Sequence, residues 1–393
     1  MRTKVKLKGG ISLIVLVITI IVMIILAAAI ILSLSNSGII SKANKAKTDS
    51  DAANLKEYAN TLMAEWELMT SAEQEATGCA NNIEYANKKL AEKGYKRELA
   101  ADGKTVMNEA ATAAVKAGLK VGDTVTGYTL DETAYTTSGE ENTCNPDAGT
   151  ETTPQPQTVK TNTDITWKYL GINANGEMEI MADLSTANAA AANTKVTLGG
   201  KGGCLNGPTM LNTICEKLYS KDGVGTARSM NIEDVNNILG YTGEKGSYID
   251  NNGNEVKTPT ALRIGDIVSQ KGEPALSSTA TPDGRDINTY YSNYYYIKKT
   301  NDVSKMTNAG NVNLVYNTKN TYWLASPCVY VYFIVGDAYF YVRYVDSPYV
   351  NAGYMFDSLG ASDYITYAVR PVVSLKSNVQ LEQNTEKTAW VIK

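Results

Sequence analysis

The sequence predicts an α+β protein: a long N-terminal helix, a small head region and a C-terminal domain of mixed strands and helices. Three observations carry this. An uncharged apolar run, Ile11 to Leu34, continues without proline into a stretch patterned for a helix. Residues 145–160, NPDAGTETTPQPQTVK, are rich in Pro and Thr, lack any apolar run and read as an extended linker. Beyond them, strand–turn–strand patterns alternate with helix-capping signals. The 393 residues suffice for about two or three domains.

Composition removes several functional classes. The net charge is −4, so there is no basic surplus to hold a phosphate backbone, and nucleic acid is not an expected partner. The chain has no histidine, which removes Ser-His-Asp and Cys-His catalysis and His-bearing metal sites. The five cysteines, Cys79, Cys144, Cys204, Cys215 and Cys328, form no CxxC pair, which argues against a zinc site.

The N-terminus reads as a membrane anchor. Residues 1–10, MRTKVKLKGG, carry Arg2, Lys4, Lys6 and Lys8, and the next 24 residues, 11–34, carry no charge. At about 1.5 Å per residue, such a helix spans a hydrocarbon layer of roughly 30 Å. The basic flank holds the N-terminus in the cytoplasm, so the residues after 34 are expected outside the cell. A simple signal anchor would account for this much. From Ser41 to Thr70, apolar or small residues recur at helical spacing: Ala43, Ala46, Leu55, Tyr58, Leu62, Trp66 and Met69.

The segment Lys8-Gly9-Gly10-Ile11-Ser12-Leu13-Ile14 resembles the cleavage and methylation site of type IV pilin-like proteins. The resemblance implies a 1–10 leader cut by prepilin peptidase after Gly10, leaving Ile11 as the N-terminus. Loss of the four leader cations would move the net charge from −4 to −8. It also implies a pilin-like helix over 11–70, half in the cytoplasmic membrane, and a head region over 71–144. One position departs from the family: pilins carry Glu at the fifth mature residue, where this chain has Val15. That Glu helps subunits dock, so a tip or minor pilin, or a monomeric anchored protein, fits as well as a filament subunit contacting other pilin subunits.

Within the head, Thr105 to Leu119 is Ala-rich and reads as a helix, and Val121 to Val125 begins a strand region. Cys79 and Cys144 bracket this part and could staple it by a disulfide outside the membrane. From Thr161 the chain becomes globular again. Trp167 to Ile172 and Glu177 to Met181 read as a hairpin about the turn Asn173-Ala174-Asn175-Gly176. Gly199 to Gly207 reads as a loop opening a helix that contains Pro208, Cys215 and Leu218, and Cys204 could bridge to Cys215. The glycines there lack a following GK[ST] and a leading strand, so they do not make a phosphate loop. Ala227 to Leu239 reads as a second helix, with Asn231 as cap and Asp234 three residues on.

The stretch from Val329 to Tyr367 is unusual for what it omits. It has no Lys, Glu, Gln, Trp or His, yet holds four Asp, many Tyr and all three Phe, Phe333, Phe340 and Phe356. A surface loop does not accept Asp while refusing Glu. Asn codons altered only at adenines do so: they reach Tyr, Asp, Ser, Ile, Val, Phe, Ala, Gly or Thr, and never Lys, Glu, Gln, Trp or Met. Tyr, Ser, Gly and Asn are also what antibody paratopes favour. The bland alternative is that Val329 to Val335 and Tyr339 to Val345 are core strands rich in β-branched and aromatic residues. That leaves the missing Lys, Glu and Gln of the expected loops at 346–367 without an explanation.

Two runs frame this stretch, Thr321-Tyr322-Trp323-Leu324-Ala325-Ser326 and Ala368-Val369-Arg370-Pro371-Val372-Val373-Ser374-Leu375. Together they resemble the C-terminal module of variable proteins served by diversity-generating retroelements, over roughly residues 161–380. The resemblance implies a C-type-lectin-like ligand-binding domain over 161–393, with a variable region at 329–367. Matched residue by residue, Ala338, Phe340, Val342, Arg343, Val345, Val350, Phe356, Ser358, Gly360 and Ala368 to Leu375 fall at scaffold places, as does Met355. The variable, ligand-binding places are Tyr330, Tyr332, Phe333, Asp337, Tyr339, Tyr341, Tyr344, Asp346, Tyr349, Asn351, Tyr354, Asp357, Asp363, Tyr364 and Tyr367.

The function so implied is recognition of an external ligand, a protein, by a surface-displayed adhesion or receptor molecule without catalysis. Sugar-binding lectins of this fold use a Glu-Pro-Asn loop on calcium. Here Glu273-Pro274-Ala275 lacks the Asn, so neither metal nor other cofactor is expected. The rivals are a fixed structural or minor pilin, and a surface enzyme. The fold is similar to that of enzymes that oxidise a cysteine to formylglycine with a cysteine pair, and here only Cys328 lies near the site. On this reading, replacing Tyr344, Tyr349 and Tyr364 by Ala is expected to remove binding and leave stability nearly unchanged.

Overall fold

The computed structural model describes residues 39–137, 156–184, 195–241, 248–249, 255–256, 303–316, 321–332, 337–347, 349–357 and 363–393. The apolar run at 11–34, the processing site at Gly10 and Ile11, and Cys144 lie outside the described residues. Among the described residues no helix is long and apolar enough to cross a membrane. Helices and sheets are both present, and the class is α+β.

The chain forms two compact units, residues 1–95 with 101–106, and residues 96–100 with 107–393. In the first, helix α1 spans Ile39–Leu68, α2 Ser71–Thr77 and α3 Asn82–Glu92. Leu55, Ala59, Leu62 and Trp66 of α1 are buried, spaced four, three and four residues apart on one stripe. They share the core with Tyr85, Ala86 and Leu90 of α3, and the Trp66 and Tyr85 rings lie 5.4 Å apart. A capping box opens α2: Thr70 N–H donates to Glu73 at 2.8 Å, and Glu73 N–H returns to the Thr70 hydroxyl. Asn81 caps α3 by accepting from Glu84 N–H at 2.9 Å. Cys79 is a half-buried free thiol, and Cys144, its expected partner, lies outside the described residues.

The second unit begins with α4, Glu109–Lys116, capped by Asn108. Its seven-stranded sheet is built from β1 (Thr124–Thr126), β4 (Thr166–Ile172), β5 (Met178–Asp183), β7 (Gly225–Ser229), β14 (Pro371–Leu375), β15 (Leu381–Gln383) and β16 (Trp390–Ile392), in the order β15-β16-β1-β4-β5-β14-β7. Strands β2 (Ala134–Thr136) and β3 (Thr158–Lys160) form a ribbon, as do β8 (Tyr248–Ile249) and β9 (Glu255–Val256). The five-stranded sheet has β6 (Lys195–Gly199), β10 (Tyr322–Tyr332), β11 (Asp337–Asp346), β12 (Tyr349–Asp357) and β13 (Tyr364–Ala368), in the order β12-β11-β10-β13-β6. Helix α5, Gly200–Tyr219, packs on strands of both sheets, and α6 (Ile232–Leu239) and α7 (Val312–Tyr316) complete the unit.

Several expectations change here. Residues 107–137 were expected in the head, before a boundary at 145–160. Instead β1 pairs with β4 and with the C-terminal β16, and β2 pairs with β3 across that stretch, so the compact units divide nearer 95–107. The helix expected over Ala227 to Leu239 begins only at Ile232, because Ala227 to Ser229 belong to strand β7, which fills an edge place beside β14. Strand β6 leads directly into α5, against the expectation that no strand precedes these glycines, and Gly200 to Gly207 is the first part of that helix rather than a loop. Gly203 and Gly207 there lie against Leu198, close enough that a Cβ at Gly207 would meet it at 3.0 Å. Cys215 is a buried, free thiol, and the side chain of Cys204, its expected partner, lies outside those described.

Arg370, between β13 and β14, joins the two sheets. It is 2% exposed. Its Nε donates to Ala182 O of β5 at 3.0 Å, Nη1 to the Tyr322 hydroxyl of β10 at 2.9 Å, and Nη2 to Leu314 O of α7 at 2.7 Å. A half-buried cation, Arg228, holds Asp234 through both terminal guanidinium nitrogens at 2.6 and 2.7 Å and reaches Glu179 at 3.0 Å. Burial pushes the Glu179 carboxyl above its ordinary range, against the pull of Arg228 and with Asp234 adding to the rise. Substituting Arg370→Met, which keeps the length and removes the donors, is expected to cost the second unit at least about 3 kcal/mol in denaturant melts. An unchanged midpoint would mean the guanidinium holds nothing together.

Candidate functional site

Strands β10, β11, β12 and β13 carry most of the Tyr-rich stretch. Residues 349–357, expected in a loop, are a strand paired with β11. Their side chains therefore alternate between faces of a sheet, and a patch is set by strand register rather than by loop conformation. Along the described part, Val342, Val345, Val350 and Met355 are fully buried and Arg343 is 1% exposed. Between them Tyr341, Tyr344, Asn351 and Tyr354 are half-buried, and Asp346 and Tyr349 are exposed. Ala368, Val369, Val372, Val373 and Leu375 of the following run are buried.

One face gathers five candidate residues. Tyr344 pairs with Trp323 on one side and Asn351 on the other, and two residues further on Asp346 pairs with Tyr349. The Tyr344 and Tyr367 ring centroids are 4.6 Å apart, and both rings contact buried Trp323, Tyr344 edge-to-face at 6.1 Å and Tyr367 tilted at 4.8 Å. The Trp323 indole N–H donates to Val196 O at 2.8 Å, which fastens this floor to β6. Asp346 accepts from the Thr321 hydroxyl at 3.0 Å, and Asn351 accepts from Ala352 N–H at 2.9 Å. Burial raises the Tyr367 phenol pKa, helped by Tyr344 and by the negative charges of Asp346 and Asp363. Gly353 lets the strand lie on Trp323, since a Cβ there would meet the indole at 3.2 Å and Ile365 at 3.0 Å.

Other candidates lie elsewhere. Tyr341 and Tyr354 are cross-strand partners with rings 5.8 Å apart, at the strand parity opposite to Tyr344, so they do not share its face. Exposed Asp363 accepts from Tyr364 N–H at 2.7 Å, and half-buried Tyr364 lies against Gly199. Tyr330 pairs with Tyr339 and Tyr332 with Asp337, and Asp357 pairs with Tyr339. Phe333, Ser358 and Gly360 lie outside the described residues. Sequence reasoning did not include Trp323 or Thr321 in the site. Nothing local marks them, because each meets the stretch only through pairing of β10 with β11 and β13.

Alternative chemistry finds little support in this geometry. Cys328 is fully buried, and burial pushes its thiol up to about 11, with Arg343 pulling it down. Among the described residues, no group of three His, Cys, Asp or Glu side chains comes together to hold a metal. An open cleft of about 720 Å³ lies between α4 and β15, lined by Lys96, Glu109, Lys116, Gln380, Glu382 and Trp390 among others, none of them from 329–367.

The triple replacement of Tyr344, Tyr349 and Tyr364 is accordingly expected to separate by residue. Tyr344 and Tyr364 pack against the core and Tyr349 is 37% exposed. Tyr344→Ala is expected to cost about 1–3 kcal/mol, and Tyr349→Ala less than about 0.5 kcal/mol, in parallel thermal melts. Equal losses would mean both rings are core. Alkylation of the native protein with iodoacetamide, read by peptide mapping, is expected to spare Cys328 and Cys215. No protein-family model, curated protein or solved structure matches the chain.

Proposed function

We propose that this is a surface-displayed recognition protein, anchored in the membrane or in a pilus by a pilin-like N-terminal helix. Its C-terminal, C-type-lectin-like domain offers a Tyr-rich face that a retroelement diversifies to bind external protein ligands. The observation that carries the reading is the interleaving along β11 and β12. Buried Arg343, Val345 and Val350 alternate with half-buried Tyr344 and Asn351 and exposed Asp346 and Tyr349, in a stretch free of Lys, Glu and Gln. Accessible positions of that kind can change without disturbing a core, and Tyr brings large contact area with few rotamers to lose. A fixed structural or minor pilin is the second reading, and the absence of the docking Glu at Val15 weighs against efficient filament assembly. Buried Cys328, with its raised thiol pKa, weighs against a formylglycine-type enzyme.

The deciding experiment is deep sequencing, across a population of the source organism, of the DNA encoding residues 320–375. Substitutions are expected at the adenines of a nearly identical template beside a reverse-transcriptase gene, with codons 344, 346, 349 and 351 varying and codons 342, 345 and 350 constant. A uniform sequence without template would leave a fixed domain. Intact-mass measurement of the mature protein is expected to give an N-methylated Ile11 terminus; a retained 1–10 leader would leave a plain signal anchor.

A further inference from the structure

The face around Tyr344 has a charge that names its partner's chemistry. Within 329–367 the charged residues are Asp337, Asp346, Asp357, Asp363 and Arg343, and the one cation, Arg343, is 1% exposed. On the face itself, Asp346 is exposed beside Tyr349, and its single described hydrogen bond is from Thr321. On the same face are the half-buried rings of Tyr344 and Tyr367, packed against Trp323 edge-on and at a tilt. The described cation nearest in strand register, Lys195, stands opposite Ala368, at the parity opposite to Tyr367. Among the described ion pairs none includes Asp346.

We infer that this face binds a protein surface through an arginine, the guanidinium lying on the Tyr344 and Tyr367 rings with its N–H groups on the Asp346 carboxylate. The inference rests on the proposed recognition role and names the partner's chemistry. Aromatic faces attract cations, and a planar guanidinium both stacks and forks onto a carboxylate, which an ammonium does not. Rings already packed on a buried indole have lost their rotamer freedom before binding, so little is lost when the cation arrives. A neutral or acidic partner would leave Asp346 desolvated and unpaired, which disfavours it.

The test is selection of a random peptide library on the full chain, counter-selected on Asp346→Asn and on Tyr349→Ala. Enriched peptides are expected to carry Arg, to lose about tenfold in affinity on the Asp346→Asn protein, to lose as much when that Arg is made citrulline, and to bind more weakly as salt rises. Both substitutions are at exposed positions, and a thermal melt checks that each variant is folded. Peptides that depend on Tyr349 but carry no Arg, or that bind equally as citrulline, would overturn the inference and leave the recognition role standing. Enrichment indifferent to both substitutions would overturn both.

Discussion

A guanidinium does not give up its charge, so burying Arg370 obliges the surrounding backbone to supply acceptors at set places. They come from Ala182 in one sheet, from the Tyr322 hydroxyl in the other and from Leu314 beneath. Tyr322 passes its own proton to Val315 O at 3.1 Å, so every link of the chain is satisfied. The two sheets are thereby held in one register. Trp323, the residue after Tyr322, is then fixed as well, tied through its indole to β6 and serving as the floor for Tyr344 and Tyr367. A core constraint and the candidate face are separated by one residue.

That coupling lets a variable face stand on strands. A strand presents alternate residues to opposite sides, so burying one set anchors the backbone while the other set is free to differ. Arg343, Val345 and Val350 hold β11 and β12 in place from one face, and Asp346 and Tyr349 stand exposed on the other. The half-buried rings are an intermediate class. Tyr344 and Tyr367 pack against the core and stay partly accessible, so their replacement trades stability against a new surface. Sites carried on regular elements are also held more rigidly than sites on loops.

Parts of this fold were legible because their signals are local. The hairpin over 167–181 turns where Asn173 to Gly176 marks it, with Gly176 at positive φ and its N–H on Asn173 O at 2.9 Å. Asn231 and Asp234 make the capping box that their spacing announces. The buried stripe of α1 follows its helical period through Leu55, Leu62 and Trp66. The errors fell where distant chain decides. Gly200 to Gly207 has poor helix propensity and is helical in a packed setting, with Gly203 and Gly207 against Leu198. Ala227 to Ser229 is a strand because β14 lies beside it, and the 107–137 region joins the C-terminal unit because β16 returns to β1.

By itself the sequence determined the α+β class, the period of each strongly patterned element, and the composition of a stretch that admits Asp and Tyr and excludes Lys, Glu and Gln. Which of those residues meet was a tertiary matter. Residue type does not reveal that Tyr344 and Tyr367 share a face on Trp323 while Tyr341 and Tyr354 stand at the opposite strand parity. That follows from strand register, and each strand's register is set by partners far along the chain and by the buried side chains between them.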